Sequence, residues 1–320
     1  MKTKRLGVAC AAVLMALAMS EAASAGDTAL TLSYSEETAD MMPLWIASDA
    51  GYFKEHGLDV TVRYLPAQEG IPALITGQVQ IAAIGGADAV SAVAQGAQLK
   101  FVLTLTPVYT FQFWVRPHYE TADALKGQRV GVASTTGSLY AATVLALHEL
   151  GLSISDVAIT PLGSVSNVNS SLLAGSIAAA ASHAPATYQF ERNGFVDLVD
   201  LAKKQVPSMN AGLLVPVAFA ASHRAEVQDV VDAVVEALRR ELADRAYVES
   251  EMRTRMKITD PKVADFTYDF YVQEVIRPNP LPEAAQVESN RKAMMEHNPK
   301  VATVDAAAMV DQSFVKQAMK

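Results

Sequence analysis

The run Ser134-Thr135-Thr136-Gly137-Ser138 sets hydroxyl side chains between an apolar strand pattern, Arg129 to Ala133, and a helical pattern from Gly137 to Leu150. Hydroxyl donors beside the free N–H groups of a helix start suit a carboxylate, a sulfonate or another oxyanion. Plain capping of the helix is the alternative, and it needs only one of those hydroxyls. Gly85-Gly86-Ala87-Asp88 forms a similar junction earlier in the chain. Its glycines admit close approach of a ligand to the backbone; Asp88 reads first as a helix cap and second as a ligand contact. Ser182-His183-Ala184-Pro185 is a third junction, whose His183 either donates to a ligand or faces solvent.

Ser35 and Glu36 follow the first strand pattern and belong to the same set of loops. Trp45, Tyr109 and Tyr188, with Phe111, Phe113, Trp114 and Tyr140, lie in or near these segments and offer aromatic walls for a small ligand's apolar body. Met41 and Met42 add adaptable apolar surface. Six loops are expected at a cleft: Ser35–Pro43, Ile84–Asp88, Thr106–Phe113, Ser134–Ser138, Gly163–Asn167 and Ser182–Tyr188. None contains Lys or Arg, whereas Glu36, Glu37, Asp40 and Asp88 all fall within them. A highly charged anion is therefore disfavoured. A monoanionic carboxylate or sulfonate with an apolar or aromatic body is the favoured ligand, and a neutral, pyrimidine-like heteroaromatic the second choice.

Motifs for catalysis are missing. His148-Glu149 has no second histidine four residues on, so no zincin pair forms. There is no Gly-x-Ser-x-Gly elbow, no phosphate-binding loop and no dinucleotide fingerprint. The expectation is a binding protein without enzymatic activity, cofactor or metal.

These residues need elements to hold them. Strand and helix patterns alternate: strand at Ala29–Tyr34, helix Met42–Lys54, strand Asp59–Leu65, helix Gly70–Ile75, strand Val79–Ile84, a helix opened by Gly86 and Asp88, and strand Lys100–Leu105. The order then restarts with strand Arg129–Ala133, helix Gly137–Leu150, strand Val157–Pro161, helix Asn167–Ala174, strand Ile177–Ala181, helix Pro185–Glu191 and strand Phe195–Leu201. Residues 75–83 and 173–181 match at an offset of 98, which points to two similar α/β lobes, each a mostly parallel sheet flanked by helices. Arg224–Asp244, Asp260–Ile276, Pro282–Glu296 and Asp305–Met319 read as helices that return to the first lobe. Ligands in open parallel sheets sit beyond the carboxyl ends of the strands, here between the lobes.

Of the 320 residues, 26 are basic and 34 acidic, giving −8, which argues against nucleic acid as a partner. Lys2, Lys4 and Arg5, the apolar run Leu6–Met19 and the small residues Ala23-Ser24-Ala25 read as a cleaved signal peptide and imply a periplasmic location. Without those 25 residues the charge is −10 and no cysteine remains, since Cys10 is the only one. A soluble monomer with no membrane insertion is expected.

Residues 43–60, from Pro43-Leu-Trp through Gly-Tyr-Phe to Val60, resemble the opening motif of solute-binding proteins for nitrate, sulfonate, taurine and thiamine-pyrimidine uptake. Residues 75–85, 124–132 and 309–315 are similar to further stretches of the same family. The resemblance implies a two-lobed periplasmic binding protein fold of type II, with a two-strand hinge, serving the membrane permease of an ABC transporter. It places a small-molecule ligand where Ser35–Met42, Gly85–Asp88, Ser134–Ser138 and His183–Pro185 converge. The expected domains are the signal at 1–25, a discontinuous first lobe of 26–115 and 216–320, and a second lobe of 116–215. The acidic residue usual in the family's Gly-x-hydrophobic step is Gln80 in one repeat and Ala178 in the other. Two other roles attach to such folds. Synthesis of the thiamine pyrimidine uses a cysteine-rich motif that this chain lacks; a solute receptor feeding a signalling partner uses the same cleft.

Overall fold

The computed structural model describes residues 28–320. The expected leader at 1–25, with Cys10, lies outside the described residues. Ten strands follow in chain order: β1 (Thr28–Tyr34), β2 (Leu58–Tyr64), β3 (Ile81–Ile84), β4 (Leu99–Val108), β5 (Gln112–Val115), β6 (Arg129–Val132), β7 (Ala158–Pro161), β8 (Ala179–Ser182), β9 (Val196–Asp200) and β10 (Pro207–Pro216). They form two five-stranded sheets, ordered β2-β1-β3-β10-β4 and β7-β6-β8-β5-β9. The two orders are equivalent position for position. In each sheet the first three strands run parallel and the fourth runs antiparallel to its neighbours.

The expected internal repeat is structural. Helix Ala67–Ile75 and β3 in the first lobe correspond to helix Val165–Ala174 and β8 in the second. Both strands are buried along their whole length, as central strands covered on both faces must be. Their sequences, Ile-Ala-Ala-Ile and Ala-Ala-Ala-Ser, carry no outward polar alternation for that reason.

The fourth strand of each sheet is exchanged between the lobes, which corrects the expected boundaries at 115/116 and 215/216. β5 already belongs to the second sheet and β10 to the first, so the chain crosses at residues 109–111 and again at 201–206. The two crossings lie side by side: Tyr109 N–H donates to Val206 C=O at 3.0 Å, and Leu201 N–H to Phe111 C=O at 3.1 Å. The first crossing is three residues of irregular backbone between β4 and β5, and the second is a turn over residues 201–205 between β9 and β10.

After β10 the chain is helical and returns to the first lobe. In helix Arg224–Ala243, Val227, Val230, Val231, Val234, Val235 and Leu238 are all buried. Each contributes ~1.5–3 kcal/mol of transfer free energy, which fixes that face against helix Met42–Asp49. Three expected helices differ. Met42–Lys54 is split at Gly51, whose φ of +85° ends helix Met42–Asp49 before Tyr52–Glu55 begins. Asp260–Ile276 is an α-helix only over Pro261–Tyr268 and widens to a π-helix over Asp269–Val275. The segment from Asp305 is helical only at Ser313–Ala318, because Met309–Asp311 pairs with Phe101 on the open edge of β4 instead. Among the described residues no helix is long and apolar enough to cross a membrane.

Candidate functional site

A cleft of about 1020 Å³ opens between the lobes at the carboxyl ends of β1, β2, β3, β6, β7 and β8. The first lobe supplies Ser35, Glu36, Glu37 and Thr38 after β1, Tyr64 and Gln68 at and beyond the end of β2, and Asp88 after β3. The second supplies Ser134, Thr136, Gly137 and Ser138 after β6, Ser166, Asn169 and Ser170 after β7, and His183, Tyr188 and Arg192 after β8.

Helix starts arm the second-lobe wall. Ser164 Oγ accepts from Asn167 N–H at 3.1 Å, capping helix Val165–Ala174 and setting its first turn toward the cleft. Asn169 is held by Ser182, whose hydroxyl donates to Asn169 Oδ1 at 2.8 Å. Ser134 Oγ donates to Thr136 C=O at 2.6 Å and so spends its proton within its own turn. Ser138 Oγ is buried and has no partner among the described residues. Gly137 is the N-cap of helix Ser138–Glu149, and no side chain caps that helix.

The carboxyl groups give the cleft its electrostatic character. Burial, followed by the nearby Asp40 and Asp88, pushes the Glu36 carboxyl up to about 8, so it holds a proton at neutral pH. Burial pushes Asp88 up to about 6. Behind the cleft, Asp40 is buried and accepts from Thr38 Oγ1 at 2.9 Å, Asn210 Nδ2 at 3.1 Å and the Tyr271 hydroxyl at 3.1 Å. Below it Glu241, also buried, is raised well above the usual carboxylate range by burial and by Asp40.

Tyr271 also meets His183 of the second lobe, with 3.2 Å between its hydroxyl and Nδ1. The Ala184 carbonyl, 2.9 Å from Nδ1, can only accept, so Nδ1 carries the proton. In the neutral ring Nε2 is then an acceptor; it is buried without a partner among the described residues.

Of the residues expected from sequence, the structure brings Ser35, Glu36, Asp88, Ser134, Thr136, Gly137, Ser138, His183 and Tyr188 to the cleft. The remaining seven serve the protein interior or lie off the cleft. Trp45 is buried and packs edge-on against Tyr34 at 5.7 Å, with Met41 and Met42 in the same core. Tyr109 is buried, its hydroxyl accepting from Asn290 Nδ2 at 2.9 Å. Gly85 and Gly86 are small for a different reason than expected. A methyl on Gly85 would overlap Ser138 Oγ, and one on Gly86 would overlap Asn290 Oδ1. Protein, not ligand, makes the close approach. Thr135 sits in the same turn but does not line the cleft.

Tyr64, Gln68, Asn169, Ser170 and Arg192 escaped the sequence reading. Tyr64 ends β2, and the loop beyond that strand is not among the six expected at the cleft, although its position at a carboxyl end marks it. Arg192 lies four residues past Tyr188 on helix Ala186–Arg192, so the two share a face, and its guanidinium sits 5.8 Å from the Tyr188 ring centre. The loops lack a basic residue; the cleft does not.

Two equivalent α/β lobes with exchanged fourth strands and a cleft at their carboxyl edges define the two-lobed periplasmic binding protein fold. Residues 38–245 match the family described as NMT1/THI5 like, and the chain belongs to that family. Similar solved structures include the periplasmic aliphatic sulphonate binding protein SsuA from Escherichia coli, with a TM-score of 0.73 at 20% identity over 89% of this chain and 92% of that one. The periplasmic nitrate-binding protein NrtA from Synechocystis has a TM-score of 0.73 at 13% identity, covering 91% of this chain and 88% of that one. The alkanesulfonate-binding protein SsuA from Xanthomonas axonopodis, bound to MOPS, gives 0.71 at 19% identity, over 90% and 99%. In sequence, 126 residues are 26% identical to the riboflavin-binding protein RibY of Chloroflexus aurantiacus, a match covering 38% of this chain and 36% of that relative's length.

Proposed function

We propose that this protein is the periplasmic solute-capturing component of an ABC importer. It holds a small organic molecule between its lobes and presents it to a membrane permease. The carrying observation is the cleft itself, lined at its two walls by the carboxyl ends of equivalent strands, so that one solute touches both lobes. Closure is then stabilised by contacts that exist only when the lobes share the ligand.

For the ligand we favour a neutral or weakly cationic heteroaromatic carrying ring N–H groups, over the monoanion preferred from sequence. Asp88, Glu36 and His183 Nε2 offer acceptors, and the protonated Glu36 can also donate. Tyr64, with 47% of its surface exposed, and Tyr188 face the cleft from opposite lobes and suit a flat ring. A cleft of about 1020 Å³ has room for such a molecule and would be mostly empty around an inorganic anion. The similarity to a riboflavin-binding relative supports the same class. The monoanion reading keeps one support: Arg192 stands with Ser166, Asn169 and Ser170 on the second-lobe wall.

Thermal-shift and calorimetric titration against flavins and aminopyrimidines, with alkanesulfonates and aromatic carboxylates as the opposing set, test this reading. Concentration-dependent stabilisation by the heteroaromatics is expected. Stabilisation by the sulfonates or carboxylates alone would restore the monoanion, and response to nitrate alone would overturn both.

A further inference from the structure

The outer face of the first lobe carries a second group of donor atoms, none of whose residues lines the cleft. His56 stands at the carboxyl end of helix Tyr52–Glu55, just before Gly57, whose φ is +72°. Opposite it, Asp229, Asp232 and Glu236 share one face of helix Arg224–Ala243, at the spacing i, i+3 and i+7. The ligand atoms of His56, Asp229 and Asp232 all lie within 4.8 Å of one another, and His56 Nε2 is 3.1 Å from Glu236 Oε1. The helix that bears the three carboxylates is anchored by its valine face in the core, so their backbone positions are fixed.

We propose that His56, Asp229 and Asp232 form a divalent transition-metal site, with Glu236 beside the imidazole and Zn²⁺ the ion it fits best. Tetrahedral zinc holds nitrogen and oxygen ligands at ~2.0–2.2 Å, which puts neighbouring donors ~3.3 Å apart. The donor atoms of His56, Asp229 and Asp232, all within 4.8 Å of one another, would need only small side-chain rotations to reach that separation. Buried Gln228 donates to Asp232 Oδ1 at 2.8 Å and to the Phe314 carbonyl at 3.1 Å, which holds one carboxylate oxygen and leaves the other for the ion. Three carboxylates around a neutral imidazole carry excess negative charge that a dication offsets. The imidazole selects zinc and its neighbours over calcium or magnesium, which take oxygen-only shells. Three protein ligands from two elements, with solvent in the fourth position, would make the ion a clasp between the N-terminal helical turn and the returning helix.

Tag-free, chelator-stripped protein is titrated with Zn²⁺ by calorimetry, with Ca²⁺ as control, and with Co²⁺ by visible absorption. One Zn²⁺ per chain and the d–d spectrum of four-coordinate Co²⁺ are expected. His56→Ala should weaken Zn²⁺ at least tenfold, and Asp229→Asn with Asp232→Asn should remove it, without changing the metal-free melting temperature by more than a few degrees. His56→Gln, which keeps a partner for Glu236, serves where His56→Ala fails to fold. Zn²⁺ binding that survives both His56 variants, or is no tighter than Ca²⁺, would overturn the site, whatever ligand the cleft takes.

Discussion

The hydroxyl of Tyr271 lies 3.2 Å from Nδ1 of His183, a contact between opposite lobes made where neither atom faces bulk water. The same hydroxyl donates to Asp40, which ties the contact to a buried carboxylate. Tyr271→Phe leaves Asp40 with Thr38 and Asn210 and leaves His183 without its partner from the first lobe. Loss of a buried hydrogen bond to a charged group costs ~1.5–3 kcal/mol. Urea unfolding should show that loss, and ligand affinity should fall several-fold because the His183 ring keeps only its own-loop hydrogen bond to Ala184. Unchanged stability would mean that the lobes meet here without energetic consequence.

Stability should fall as the solution becomes more alkaline. Between about 4.5, the ordinary value, and about 8, the folded protein keeps a proton on Glu36 that the unfolded chain releases. The folded state binds more protons over that interval, so unfolding free energy decreases with rising pH and levels off above it. Asp88 adds the same sign between 3.8 and about 6. Glu36→Gln removes the larger contribution and should gain on the order of 1–2 kcal/mol at pH 8, discounted for the open cleft, with little change at pH 4. Melting curves across this range check it; an unchanged slope in the variant would show that Glu36 titrates normally.

Gly137 should tolerate alanine poorly for two separable reasons. Its φ of +87° costs an L-residue ~1–2 kcal/mol, and a Cβ there would lie 3.1 Å from Asp88 Oδ2 of the facing lobe. Gly163 has the same φ of +87° but its Cβ would meet nothing nearer than Asn167 Nδ2 at 3.9 Å. Gly137→Ala should therefore weaken ligand binding more than Gly163→Ala at similar loss of stability. Equal effects on binding would remove the Asp88 contact from the account.

Binding should also separate cleft residues from their neighbours in sequence. Tyr64→Ala and Tyr188→Ala should each cost about tenfold in affinity, in line with ~0.5–1.5 kcal/mol for a ring contact beyond its buried area. Thr135→Ala, off the cleft wall, should stay within twofold, whereas Asn169→Ala should not. Isothermal titration with a bound heteroaromatic distinguishes these outcomes.

The helical face of Arg224–Ala243 and the repeat at offset 98 could be read from residue types because both depend on local periodicity. Most of the aromatic candidates, Tyr188 excepted, failed on the same ground. Trp45, Tyr109, Phe111 and Tyr140 lie near cleft segments in sequence, but a large ring enters whichever core its strand or helix faces. Arg192 and Tyr64 were within reach of a reading that followed the helix period past Tyr188 and the end of β2.

Composition, charge and the alternation of apolar positions were enough to require two similar α/β lobes, and to place hydroxyls and carboxyls in loops at their strand ends. Tertiary structure alone decided that β5 and β10 change lobes, that Gly85 and Gly86 yield to Ser138 and Asn290, and that Glu36, Asp88 and His183 share one cleft. Hydrogen bonds between strands and contacts across a cleft join residues far apart in the chain. Local pattern sets the direction in which a side chain points, but the group it meets there comes from somewhere else in the sequence.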